Sequence, residues 1–115
     1  MRRYRVEEGI MALEDYLLPG EEIKFQSKTQ VTYGDKLYTL VVTNKRIILY
    51  ARRGLVFKSD DVVTFKLDEL QGIKYRETGI ISKKGVIEIQ GKTKATLEGP
   101  AKEMKTLYQQ LLQFL

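Results

Sequence analysis

Residues 37–52 read LYTLVVTNKRIILYAR, and this stretch decides the fold. Two runs rich in β-branched and aromatic side chains, Leu37 to Thr43 and Arg46 to Arg52, flank the pair Asn44-Lys45. Such residues suit a pleated surface and Asn tolerates the positive φ of a tight turn, so the stretch predicts a β-hairpin. Leu40 and Val42 fall on one face, Leu37 and Val41 on the other, so the sheet is expected to be covered on part of its second side.

Working outward, Ile23, Phe25 and Ser27 alternate with Glu22, Lys24 and Gln26, the period of a half-buried strand, and Gly34-Asp35 mark a loop. Further upstream, Val6, Ile10, Leu13 and Leu17 recur at helical spacing between Arg5 and Leu18 until Pro19-Gly20 break the pattern. This predicts an amphipathic helix within residues 1–18 and a single domain over 19–115. The helix stripe reads as packing on that domain or as a surface for a partner or membrane; Glu7, Glu8, Glu14 and Asp15 on its polar side disfavour anionic lipid.

Downstream, Val62 to Leu67, Gly72 to Glu77, Val86 to Gln90 and Thr93 to Glu98 are strand candidates, the last two a hairpin around Gly91-Lys92. Gly99-Pro100 close the sheet, and Met104, Leu107, Tyr108, Leu111 and Leu115 stripe a C-terminal helix. Seven short strands without βαβ spacing predict a mainly β, antiparallel sandwich or barrel. No internal repeat, low-complexity segment or linker is evident.

The 115 residues contain neither Cys nor His, which removes the usual zinc ligands and the commonest general base. Asp60-Asp61 and Asp68-Glu69 are neighbours in sequence within turns, so they alternate sides or cap rather than converge, and no phosphate loop or nucleophile elbow is present. We therefore expect no catalysis, metal or cofactor. The net charge of +5 is spread evenly along the chain, without a basic arm. No apolar run approaches the ~20 residues of a membrane span and no secretory signal opens the chain, so a cytoplasmic protein is expected, with any membrane contact peripheral at the inner face. Abundant Lys, Arg and Glu with a single Asn is a thermophilic bias.

The segment Leu17-Leu18-Pro19-Gly20-Glu21-Glu22-Ile23, the hairpin Tyr38 to Tyr50, Leu70 to Tyr75 and Gly85 to Ile89 follow in the order, and resemble the wording, of prokaryotic pleckstrin-homology (PH) and GRAM-like domains. The resemblance covers residues 17–115. It implies a seven-stranded antiparallel barrel of two near-orthogonal sheets with the C-terminal helix closing one corner, the N-terminal helix being extra. It also implies a binding module whose partners are lipid headgroups, peptides or proteins, with self-association common among prokaryotic members.

Lipid-binding relatives hold the headgroup between the loops after strands one, three and six. Here those loops carry Lys28 and Lys36, then Arg52, Arg53 and Lys58, then Lys92 and Lys94, a candidate anion or lipid surface unless they only keep the protein soluble. The dense basic run that phosphoinositide binders place on their first two strands is missing, with Gln30, Thr32 and Leu37 in its place. Ile80 and Ile81 beside Lys83 and Lys84 form a second candidate, as a membrane tip, a core flap or a subunit contact. An unknown protein or peptide could add to the edge of the strand Gly72 to Glu77 beside the terminal helix, making the protein an interaction adaptor. Two alternatives remain: a self-assembling structural protein acting as a homo-oligomer, and a basic barrel stacking nucleic acid on Tyr33, Tyr38, Tyr50 and Tyr75. No small-molecule substrate is implied.

Overall fold

The computed structural model describes residues 12–54 and 56–115. The elements are β1 (Ile23–Gln26), β2 (Val31–Tyr33), β3 (Lys36–Thr43), β4 (Arg46–Arg53), β5 (Ser59–Lys66), a 3-10 turn (Leu67–Glu69), β6 (Gly72–Thr78), β7 (Lys84–Gln90), β8 (Lys94–Pro100) and the C-terminal helix (Ala101–Phe114). All pairings are antiparallel, in the order β5-β4-β3-β2-β8-β7-β6, with β1 also on β3. The expected first strand is β1, and a further strand, β2, follows it: β1 pairs with the far half of β3 (Gln26 with Val41) and β2 with its near half (Val31 with Tyr38). Between them the chain bends, and β2 crosses to β8 through Thr32 opposite Glu98, coupling the two halves of the barrel. Three residues between two breaks carry too little period to be read as a strand in sequence.

Alternation sorts the central hairpin. Leu40, Val42, Ile47 and Leu49 point into the main core with Val31, Ile87, Ile89 and Leu97, while Val41, Ile48 and Tyr50 are buried on the opposite face. Ala12 and Leu13 cover that second face, with Leu17, Ile23 and Val62 packed beside them. Leu37, expected to be covered there, is exposed instead. Of the predicted N-terminal helix, residues 1–11, including Val6 and Ile10, lie outside the described residues. Helix persists only to Glu14, short of Leu18: Tyr16 and Leu17 donate to the carbonyls three residues back, and the Tyr16 carbonyl accepts from Arg46 at 2.6 Å.

The Asn44-Lys45 turn forms by a different device from the one expected. Positive φ outside glycine occurs, among the described residues, only at Asp35, which with Gly34 makes the turn between β2 and β3 (φ 57° at Gly34 and 61° at Asp35). Asn44 acts through its side chain: its Oδ1 accepts from the Glu22 N–H at 2.8 Å and its Nδ2 donates to the Gly20 carbonyl at 3.0 Å. The Thr43 hydroxyl accepts from the N–H groups of Lys45 and Arg46, both at 3.0 Å, and donates to Glu21 at 2.6 Å. Glu21 in turn takes the Arg46 guanidinium through two bonds, 2.8 and 3.0 Å. Burial opposes the charge on Glu21, but the donors from Arg46, Thr43 and the Leu18 N–H overcome it and hold the carboxyl down to about 2.

The C-terminal helix buries Met104, Leu107 and Leu111 against the core. Its first turn comes close to the sheet because Gly85 and Gly99 face each other across β7 and β8 and leave a niche for Met104; a Cβ on Gly85 would lie 2.5 Å from that side chain's Cβ. Tyr75 stacks on Tyr108 and Phe25 on Phe114, each at 5.3 Å between ring centres, pinning the helix from both sides.

Glu21 titrates lower in the folded chain than its ordinary 4.5, so its contribution is complete above that pH and is lost as pH falls toward 2. Urea melts should show wild type losing about 3 kcal/mol from this group on acidification, whereas Glu21→Gln starts weaker by a similar amount at neutral pH and lacks that acid limb. Gly85→Val should displace the helix start and cost about 2–3 kcal/mol, seen as a lower denaturant midpoint and faster amide exchange over the first helical turn.

Candidate functional site

The β4–β5 ladder runs in unbroken register from Arg46 opposite Lys66 to Arg53 opposite Ser59, so β5 begins three residues before the predicted Val62. Asp60 and Asp61, expected in a turn, therefore lie on the strand and project to different partners. Asp60 accepts from Arg52 Nε at 2.9 Å, from the Tyr16 hydroxyl at 2.7 Å and from Tyr50 at 3.2 Å, while Asp61 pairs with Arg53 at 3.5 Å. The bond from Tyr16 holds Asp60 below its ordinary value against the cost of burial, helped by Tyr50 and Arg52. Burial, then the charge of Asp60, pushes the Tyr50 hydroxyl up to about 12. This cluster fastens the segment before Pro19 to the barrel wall.

Arg53 is the link between neighbouring loops. Besides Asp61, its NH2 donates to the Leu37 carbonyl at 3.3 Å and its guanidinium lies 4.9 Å from the centre of the Tyr38 ring. The base of the β4–β5 loop is thereby tied to the start of β3, which carries exposed Lys36. Lys58 is exposed at the other end of the loop. Lys36, Arg52, Arg53 and Lys58 thus belong to two adjoining hairpin ends.

The remaining predicted cations sit elsewhere. Lys28 falls in the bend between β1 and β2, not in the hairpin turn, and lines a cleft of about 410 Å³ against the C-terminal helix with Phe25, Lys102, Thr106 and Leu107. Lys92 reaches Glu69 of the 3-10 turn at 3.5 Å. Lys94 reaches Glu88 at 3.3 Å, and Arg76 meets the same carboxylate at 3.5 Å. Burial of Glu88 works against its charge, and Lys94 and Arg76 more than offset it, leaving the group below its ordinary value.

Two loops display apolar side chains. Sequence reading singled out Ile80 and Ile81, which are 98% and 99% exposed, with Lys83 and Lys84 exposed beside them. It missed Val56 and Phe57 in the β4–β5 loop, 83% and 92% exposed. A signal was present: as Ile80-Ile81 lie between Gly79 and Lys83, Val56-Phe57 lie between Gly54 and Lys58. Each glycine has positive φ, 93° at Gly54 and 100° at Gly79. A Cβ there would lie 2.1 Å from the Phe57 carbonyl oxygen or 2.4 Å from that of Ser82, so each loop folds back over its glycine and turns the apolar pair outward.

The tyrosines weighed as base-stacking platforms are turned inward. Tyr38 and Tyr50 are buried, and Tyr33 packs edge-on against Tyr38 and Phe65. Tyr75 stacks on Tyr108, and its hydroxyl is shared between the Glu77 carboxylate at 2.8 Å and the Ala101 carbonyl at 3.1 Å. Among the described residues no group of Asp or Glu gathers to hold a metal ion, and no helix is long and apolar enough to cross a membrane.

A model of the bacterial PH domain matches residues 17–111 of the chain. Among solved structures, the crystal structure of a pleckstrin homology domain from Shewanella amazonensis SB2B is similar at a TM-score of 0.62 and 14% identity, covering 90% of this chain and 92% of that one. No curated protein matches the chain.

Asp60→Ala should release Tyr16 and leave Arg52 without its carboxylate, costing about 1–2 kcal/mol. Hydrogen exchange should locate the loss in residues 12–18, with the β7–β8 hairpin unaffected.

Proposed function

The chain belongs to the bacterial PH domain family, and on that footing we propose that it is a non-catalytic binding module, a peripheral-membrane adaptor that settles on an anionic lipid surface through its β4–β5 loop and β2–β3 turn. PH domains generally do no chemistry and commonly bind lipids or proteins. The observation that carries the reading is Val56 and Phe57, exposed on a loop that turns back over Gly54 and is flanked by Arg52, Arg53 and Lys58, with Lys36 on the adjoining hairpin end. An aromatic and an aliphatic side chain exposed to water are stabilised on entering an apolar layer, by about 1.5–3 kcal/mol each if fully buried. Each cation near an anionic surface adds about 1 kcal/mol.

The ion pairs of Arg52 and Arg53 are consistent with this role. Pairs so near the surface contribute only about 0–1 kcal/mol, and a guanidinium bonded on one edge keeps donors for a phosphate on the other. Lys92 and Lys94, directed at Glu69 and Glu88, and Lys28, beside the helix, stand outside the proposed contact. Set against the cost of association, the sum predicts weak, reversible docking, at the inner face of the membrane for a cytoplasmic protein. A second reading, protein recognition by strand addition, rests on the outer edge of β6, which ends the sheet unpaired among the described residues.

Co-sedimentation with vesicles of equal parts phosphatidylcholine and phosphatidylglycerol is the test, run at low and physiological salt beside phosphatidylcholine alone. Wild type should pellet with the anionic vesicles, and Phe57→Ser combined with Arg53→Glu should weaken partitioning at least about tenfold with the fold intact. Equal pelleting of wild type and variant, or none by either, sinks the membrane reading in favour of a protein partner at the β6 edge.

A further inference from the structure

Resting on the membrane-docking reading, we propose that the β6–β7 loop is a second, separate insertion point for an anionic bilayer, with Ile80 and Ile81 entering the acyl boundary and Lys83 and Lys84 engaging lipid phosphates. Three observations carry it. The loop repeats the construction of the β4–β5 loop: a glycine at positive φ, a chain folded back onto the carbonyl three residues on, and two apolar side chains thrown outward. Its base is fixed by the fold, since Lys84 stands opposite Pro100 in the ladder and Ala101 donates its N–H to the Lys83 carbonyl at 3.3 Å. The tip is therefore rigid at its root and without apolar cover at its end.

The charges decide the occupant. Neither Lys83 nor Lys84 has a carboxylate within ion-pair distance among the described residues. The acidic group on the adjoining strand, Glu77, is taken by Lys105 at 3.2 Å and by the Tyr75 hydroxyl at 2.8 Å, and it feels Lys83 only through its field. Two ammonium groups outside any close ion pair, directly behind two aliphatic side chains, reproduce the layering of a bilayer interface, apolar end inward and cations at phosphate depth. Besides Ser82, the tip offers two aliphatic side chains and two ammonium groups, a composition that matches the layers of an anionic bilayer interface.

The chain has no tryptophan, so a single one reports its own surroundings. Ile81→Trp and Phe57→Trp are prepared separately and mixed with the same phosphatidylcholine–phosphatidylglycerol vesicles, with and without brominated acyl chains. Both positions are so exposed that the fold should hold, which an unchanged thermal midpoint checks. The expected result is a blue shift and bromine quenching of the indole in Ile81→Trp, together with about tenfold weaker partitioning of Ile80→Ser/Ile81→Ser. A shift in Phe57→Trp with none in Ile81→Trp overturns this inference and leaves the docking reading standing. A shift in Ile81→Trp alone supports the second tip and displaces the β4–β5 loop from its proposed role; silence in both variants overturns both.

Discussion

One buried carboxylate–guanidinium pair, Glu21 with Arg46, joins parts of the chain that share no ladder. Through it the entry segment meets the central hairpin: Glu21 also accepts from the Leu18 N–H and the Thr43 hydroxyl, and Arg46 reaches the Tyr16 carbonyl and Thr64 on β5. A charge as deeply buried as Glu21 is stable because the Arg46 guanidinium, the Thr43 hydroxyl and the Leu18 N–H are aimed at it. The same requirement that satisfies the carboxylate therefore sets the path of residues 16–22, which in turn lays Leu13 and Leu17 on the outer face of the sheet. With that face covered, the barrel interior is left to the other residues of the hairpin and to the C-terminal helix.

The surface is organised by a similar economy of charge. Among the cations that suggested an anion site, Arg52 is matched to Asp60, Arg53 to Asp61, Lys92 to Glu69 and Lys94 to Glu88. They stiffen strand pairs and loops more than they form an open cradle for a headgroup. The surface also offers apolar groups at the tips of two hairpins, each turned by a glycine that no other residue can replace without a clash. A contact made by such tips depends on depth in a membrane more than on the identity of a headgroup, in keeping with the missing basic run on the first two strands.

Much of this was legible in one dimension. The alternation of Leu37 to Thr43 and Arg46 to Arg52, the stripe Met104, Leu107, Leu111, and the Gly99-Pro100 boundary mark the hairpin, the helix and the end of the sheet because local period and turn chemistry act over a few residues. Where the reading departed from the structure, a distant partner had intervened. Asp60 and Asp61 read as turn residues, yet they lie on the ladder and pair with Arg52 and Arg53. Asn44 promised a strained backbone and instead bonds to Gly20 and Glu22 with its side chain. Lys28 was grouped with Lys36, but the bend between β1 and β2 places it beside the helix.

The sequence by itself determined the central hairpin, the C-terminal helix and the apolar stripe of that helix, and that neither Cys nor His is present, since these depend on residue type and spacing alone. Only the tertiary structure decided which cations are already matched, which tyrosines are turned inward, and that Val56-Phe57 and Ile80-Ile81 are two versions of one exposed tip. Those outcomes depend on what lies across a strand or beneath a loop, and on backbone angles at Gly54 and Gly79 that spacing does not encode. Exposure is a property of the space around a residue, and that space is made by parts of the chain remote in sequence.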